Sequence, residues 1–235
     1  MTASTGLLHS PPSWSPARLG GRLLDLAFPP VCAGCGREGE ALCAACLPAL
    51  HARRGAPPGV ALGLPSSTPL PLVQLEWCAP YKGIVREAVR GLKYGGERRL
   101  GDVLGSAVAE RWAEAGCGGD VLVHVPVHEQ RRRERGFDQA EAIARATGTV
   151  LRLPVAPALV RTRATVRQYT LDRPDRASNV ADAFAPGPGA RAVRGRWVVL
   201  VDDVATTGAT LVACAQTLLS AGAACVSAVT VAREL

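Results

Sequence analysis

Val198-Val-Leu-Val-Asp202-Asp203-Val-Ala-Thr206-Thr207-Gly208-Ala-Thr210 reads as a strand, an acidic edge and a turn into a helix. Val198 to Val201 are apolar without polar alternation. That predicts a strand covered on both faces, as in a parallel sheet. Open α/β sheets place ligands at the carboxyl ends of such strands, and here that end carries two adjacent carboxylates. Ala205 to Thr210 leads into an apolar helix pattern from Leu211 to Leu219. Gly208 permits close backbone approach, while threonine hydroxyls and the free N–H groups of a helix start suit a phosphate dianion. Asp202 and Asp203 would repel that phosphate if aimed at it. They fit vicinal hydroxyls, as acceptors, or a hydrated Mg²⁺. A phosphate beside a diol describes a ribose 5-phosphate. The competing reading is an acidic strand-to-helix turn capped by threonine. The ordered occurrence of strand, acid pair and threonine–glycine loop argues against it.

The 235 residues allow one substantial domain with a small extra module. Apolar residues make up 48% of the chain, enough for a real core, and the net charge is +7. Of 27 basic residues only Lys82 and Lys93 are lysine, leaving 25 arginines. With abundant Ala and Gly, that skew is what GC-rich coding produces, so arginine count alone is a weak argument. No apolar run reaches membrane-helix length. Pro11, Pro12 and Pro16 interrupt any signal-peptide pattern. The expectation is a cytoplasmic protein without membrane insertion.

Cysteines fall into two classes. Cys32-x-x-Cys35 and Cys43-x-x-Cys46, seven residues apart, have the spacing of two knuckles around a tetrahedral Zn²⁺. Gly34 and Gly36 supply turn flexibility. Four protein ligands leave no open position, so the role would be structural. So short a segment cannot form its own core, and metal would supply most of its folding energy. Disulfides or an iron–sulfur cluster are the alternatives. Cys78, Cys117, Cys214 and Cys225 stand singly in apolar surroundings and read as buried small side chains.

Composition divides the chain. Residues 1–17 are Ser/Pro-rich and read as disordered. Residues 18–52 hold a short helix, Leu19 to Phe28, and the four-cysteine zinc module. Residues 53–71 contain five prolines and read as a linker. The main domain runs over 72–235. Within it strands are expected at Gln74–Pro80, Val121–Val127 and Ala224–Ala232, with helices at Gly83–Lys93, Leu100–Ala115 and Gly136–Val150. Pro186 to Gly195 reads as a turn. Alternating strands and helices predict a mostly parallel sheet flanked by helices, an α/β fold.

Two further basic regions stand out. His128-Glu-Gln-Arg131-Arg132-Arg133-Glu134-Arg135-Gly136-Phe137-Asp138-Gln139 follows a strand and reads as an arginine-bearing loop before a helix. Arginine forks bind phosphate oxygens bidentately, which makes Arg131, Arg132 and Arg135 candidates for a pyrophosphate. A solvated charge run is the alternative. His124 and His128 are not assigned catalysis. Arg161 to Arg176, with Arg163, Arg167 and Arg173 between, reads as a flap over a bound anion. From Glu129 to Arg176 eleven arginines face six acids, a surplus that would also suit a nucleic-acid backbone. Arg167 and Arg176 are candidates for either anion. Tyr81, Tyr94, Phe137 and Tyr169 are candidate stacking faces for single-stranded bases.

The opening stretch resembles the thirteen-residue phosphoribosyl pyrophosphate (PRPP) motif of type I phosphoribosyltransferases. That resemblance implies that Asp202 and Asp203 hold the ribose hydroxyls and that Ala205, Thr206, Thr207, Gly208, Ala209 and Thr210 cradle the 5-phosphate. The two CxxC knuckles, Tyr81-Lys-Gly83, Leu92-Lys93-Tyr94, Val125-Pro126, Arg135-Gly-Phe-Asp-Gln-Ala140, Gln168-x-x-Leu171, Arg176-x-x-Asn179 and Ala183-Phe184 extend the likeness. From about Leu23 onward the chain resembles the ComF/GntX family. The resemblance implies a type I phosphoribosyltransferase-like fold, a link to DNA uptake in natural transformation, and PRPP with Mg²⁺ or a nucleotide as ligand. Asp138 departs from the family's usual asparagine; an added carboxylate disfavours phosphate contact, so Asp138 is kept out of the site.

Two function classes stay open. One is an enzyme that displaces pyrophosphate from PRPP, including a nucleobase-salvage transferase. The other is a binding protein that uses the pocket as a ligand site while its basic face engages single-stranded DNA and a competence helicase. No residue identifies itself as a general base.

Overall fold

The computed structural model describes residues 29–59, 71–115, 118–162 and 183–234. The N-terminal segment, the later part of the expected linker, Cys117 and the flap with Arg163, Arg167, Gln168, Tyr169, Arg173 and Arg176 lie outside them.

Four parallel strands make the main sheet: β1 (Leu72–Pro80), β2 (Val121–His124), β5 (Trp197–Ala205) and β6 (Cys225–Arg233), in the order β1-β6-β5-β2. The helices are α1 (Gly83–Tyr94), α2 (Leu100–Glu114), α3 (Glu129–Arg135), α4 (Gln139–Leu151) and α5 (Ala209–Ser220). Short strands β3 (Leu159–Arg161) and β4 (Phe184–Pro186) pair antiparallel as a separate ribbon.

The unbroken apolar run of β5 has the meaning expected of it. Val199 and Val201 belong to a core shared with Leu92, Leu104, Val108 and Ile143 of α1, α2 and α4. Val198 and Leu200 belong to a second core with Leu211, Cys214 and Leu218 of α5. Period-two alternation thus sends neighbouring residues into opposite layers. Each fully buried Val or Leu contributes about 1.5–3 kcal/mol, so the central strand is fixed from both sides. Gly105 sets the helix spacing on the first side. A Cβ there would lie 2.4 Å from Ala146 Cβ and 2.7 Å from Ile143 O.

Helices after β2 and β5 lie on opposite faces of the sheet, and these two strands are neighbours. The crevice at their carboxyl ends is therefore a topological switch point, where open α/β sheets bind ligands.

Two features differ from the sequence reading. Residues 129–135 form a helix, α3, where a loop was expected. His128 Nδ1 accepts from the Gln130 amide at 3.3 Å, Arg133 pairs with Glu129 at 3.1 Å, and Gly136 closes the helix at φ 74°. A cap, an i,i+4 ion pair and a left-handed glycine support one short helix where the sequence shows no apolar periodicity. Second, residues 53–59, the start of the expected linker, are fastened to the domain. The Arg53 amide donates to Cys78 O on the open edge of β1. Arg111 donates to the carbonyls of Arg53, Ala56 and Pro57 and, at 2.7 Å, to the buried Glu76 carboxylate. Arg53 lies over the Trp77 ring at 3.7 Å. This cover removes an exposed strand edge.

Candidate functional site

The strand β5 continues through Asp202 and Asp203 to Ala205, so the two acids inherit its alternation. Asp203 follows Val201 onto the α1 side; Asp202 follows Leu200 onto the α5 side. Asp203 is buried, and its Oδ1 accepts from Lys93 Nζ at 2.8 Å. Its Oδ2 is buried without a hydrogen-bond partner. Asp202 Oδ1 accepts from the Asp203 amide at 2.8 Å. Burial, then the Asp203 charge, pushes the Asp202 carboxyl well above the usual range; that amide and Lys93 oppose the shift. Asp202 also acts electrostatically on Arg161 of β3 and on buried Cys214 of α5.

Residues 206–208 turn the chain, with Gly208 at φ 80° as the cap of α5. A side chain at that φ would be strained, so glycine is the fitting residue. Thr206 and Thr207 are exposed, Thr210 is half-buried, and Ala205 is buried. The Ala209 amide donates to Thr207 Oγ1 at 3.4 Å, a long and weak bond. The turn therefore offers hydroxyls and first-turn N–H groups at the positive end of a helix of 12 residues.

On the Lys93 side of Asp203 lies a cavity of about 520 Å³ lined by Lys93, Tyr94, Gly96, Arg131, Glu134, Arg135 and Phe137. Arg131 and Arg135 are four apart on α3 and share its inner face. Arg135 donates to Gln139 Oε1 at 2.8 Å and stacks over Tyr94 at 5.0 Å. Arg98 lies over Phe137 at 5.1 Å. Arg132 and Arg133 are exposed and do not line the cavity. Lys93 joins the two halves of the site, because it both lines the cavity and pairs with Asp203. Sequence reading quoted it within Leu92-Lys93-Tyr94 but did not place it in the site. The available signal was that a chain so dominated by arginine keeps a lysine here.

Asp138 has a structural task. Its Oδ1 caps α4 by accepting from the Ala140 amide at 3.0 Å and the Glu141 amide at 3.2 Å. Its Oδ2 accepts from the Val127 amide at 3.0 Å. That bracing ties the end of β2 to α4 and uses both carboxylate oxygens. His124, last in β2, is buried, and its Nδ1 has no hydrogen-bond partner. Burial lowers its pKa against the opposing pull of Asp138 and Glu141, which favours the neutral imidazole.

The four cysteines of the N-terminal module form one cluster. The sulfurs of Cys32, Cys35, Cys43 and Cys46 all lie within 4.8 Å of one another and could hold a metal ion. A tetrahedral zinc with four sulfurs at about 2.3 Å needs edges of about 3.8 Å, so the set fits. The Cys43 amide donates to Cys32 Sγ at 3.3 Å. Burial raises the Cys32 thiol, but amide donation from Cys43, Cys35 and Gly34 outweighs it and brings it to about 6. Burial and the neighbouring sulfurs push Cys46 up to about 12. The module shares the domain's core: Cys32, Cys43, Cys46, Leu42 and Leu50 pack with Val85, Val89 and Leu92 of α1.

A parallel sheet with an acid pair and a threonine–glycine turn at its switch point is the architecture of a phosphoribosyl transferase-type domain, and the phosphoribosyl transferase domain family matches residues 143–235. The chain belongs to the ComF/GntX family. It is 31% identical over 213 residues to the DNA utilization protein YhgH of Escherichia coli K12, covering 87% of this chain and 89% of that protein. Competence protein F of Haemophilus influenzae is 33% identical over 93 residues, 39% of this chain and 41% of that one. Among solved structures, the glutamine PRPP amidotransferase of B. subtilis is similar at TM-score 0.39 and 23% identity, over 56% of this chain and 26% of that one. No described helix is long and apolar enough to cross a membrane.

Proposed function

We propose that the chain binds PRPP, together with Mg²⁺, at the carboxyl end of β5 and works in DNA utilisation or uptake. The observation that carries this reading is the juxtaposition of an acid pair, a threonine–glycine turn at a helix start, and a cationic cavity joined to them by Lys93. In this reading the turn takes the 5-phosphate through N–H groups and hydroxyls. Asp202 and Asp203 take the ribose hydroxyls, and Arg131 and Arg135 take the pyrophosphate by forked hydrogen bonds. Mg²⁺ would offset the charge between diphosphate and acids. Zinc is the metal assigned to the cysteine cluster, as a structural ion. Turnover would release pyrophosphate as the C1–O bond breaks and an acceptor bonds to C1.

Calorimetry with PRPP and Mg²⁺ tests the reading. The wild type should bind one PRPP per chain. Asp202→Asn with Asp203→Asn should weaken binding by roughly 100-fold or more, since hydrogen bonds to charged groups contribute about 1.5–3 kcal/mol each. A variant that melts like the wild type yet binds PRPP equally well would refute the proposal.

A second reading concerns single-stranded DNA. Arg98, Arg99, Arg132 and Arg133 are exposed, and Tyr94, which lines the cavity, is 68% exposed. A phosphate backbone on the arginines and bases on the tyrosine would give affinity that falls steeply with salt. Salt-independent affinity, or none at low salt, would remove this reading.

A further inference from the structure

We propose that Lys93 is a positioning residue of the phosphoribosyl site and that the cysteine cluster sets its place through helix α1. The identity of the ligand rests on the reading above; the coupling rests on the packing of α1.

The buried positions of α1 are Val85, Ala88, Val89 and Leu92, a single helical stripe. All four are buried in the core that holds Cys32, Cys43 and Cys46. One close approach fixes this contact at the start of the helix. A Cβ on Gly34 would lie 3.0 Å from Ile84 Cγ2 and 2.8 Å from Cys46 Sγ, so the first knuckle sits hard against the first turn of α1. At the other end, a Cβ on Gly91 would come within 3.8 Å of Ala33 Cβ. The knuckle between Cys32 and Cys35 therefore sits tight against the start of α1 and leaves room for no more than a Cβ beside Gly91 near its end. Two residues beyond Gly91, Lys93 donates to Asp203 Oδ1 at 2.8 Å. The ion pair is enclosed, with side-chain exposures of 16% and 6%.

The geometry gives Lys93 a defined effect. By taking Oδ1 it fixes the rotation of the Asp203 carboxylate, whose Oδ2 is buried and has no hydrogen-bond partner to hold it otherwise. The same ammonium lines the cavity, one residue before Tyr94. A packed helix moves as a unit, so displacing the knuckle displaces Lys93. The metal centre is then a clamp on the ligand site as well as a fold element.

The test uses the full chain, stripped of metal and then reloaded with Zn²⁺, with PRPP and Mg²⁺ as probe. Metal removal should weaken PRPP binding roughly 10- to 100-fold, the size of one lost charged hydrogen bond. It should also raise hydrogen exchange at the amides of 91–95 in the ligand-free protein. Lys93→Met should show the same loss of affinity, and metal removal should then cost nothing further. Lys93→Arg should keep most of the affinity. Gly34→Ala keeps all four cysteines but wedges the knuckle off Ile84, and should reproduce the metal-free behaviour if stripping unfolds the chain. Equal weakening by metal removal in wild type and Lys93→Met would overturn the proposal, as would unchanged exchange at 91–95. If the metal-loaded wild type bound no PRPP at all, the ligand reading would fall, while exchange at 91–95 would still decide the coupling.

Discussion

Arg111→Met is expected to destabilise the protein by about 3–5 kcal/mol, the cost of leaving a buried charge without its partner. Glu76 is wholly buried and receives Arg111 through two nitrogens, at 2.7 and 3.0 Å. The same guanidinium satisfies the carbonyls of Arg53, Ala56 and Pro57. Its loss would leave Glu76 Oε2 and the Ala56 carbonyl without a hydrogen-bond donor, while Glu76 Oε1 keeps the Gly59 amide and Gln74 Nε2, the Arg53 carbonyl keeps the Ala56 amide, and the Pro57 carbonyl keeps Arg53. Arg53 approaches Glu76 only to 3.8 Å and cannot replace the fork. For a domain of this size such a loss lowers Tm by roughly 10 °C. Replacing both members, Arg111→Met with Glu76→Gln, should recover part of it, because the uncompensated charge is gone. Thermal and urea denaturation of the three variants measures the effect. A loss under about 1 kcal/mol for the single variant would show that the pair is not holding residues 53–59.

Cys32→Ser with Cys35→Ser should have an effect of similar or greater size. Four sulfurs sit within 4.8 Å, three of the residues buried, in the core shared with α1. Structural zinc contributes about 10–16 kcal/mol in isolated finger peptides. Here the module also has a hydrophobic surface to pack on, so the loss should be smaller, on the order of 5 kcal/mol. Metal content should fall from about one ion per chain to none, and the melting transition should drop with it. Acid should release the metal as well, because the ligands bind as thiolates. A metal-free protein with an unchanged melting curve would contradict the assignment.

The central strand was legible because its pattern is local. Four consecutive apolar residues and an acid pair imply a strand buried on both sides, and β5 is that strand. The cysteine quartet was legible for the same reason: its spacing is its geometry. What escaped the sequence depends on distant partners. Lys93 and Asp203 are 110 positions apart, and Arg111 and Glu76 are 35 apart. Neither pair has a local signature. The helix α3 was missed for a different reason. Its charged residues carry no apolar periodicity, and its evidence lay in caps and i,i+4 pairs. The bracing role of Asp138 emerged only when Val127 and α4 came together around it. Alternation along β5 also sharpens the acid pair: Asp203 is held by Lys93, whereas Asp202 faces Arg161 and α5.

The most direct test of a ribose-phosphate site at the end of β5 is an amide NMR titration with ribose 5-phosphate alone. The largest shifts are expected at the amides of Thr206 to Thr210 and at Asp203, with only small changes in α3, because this ligand lacks a pyrophosphate. Shifts confined to the arginines of α3, with residues 206–210 unmoved, would contradict the account.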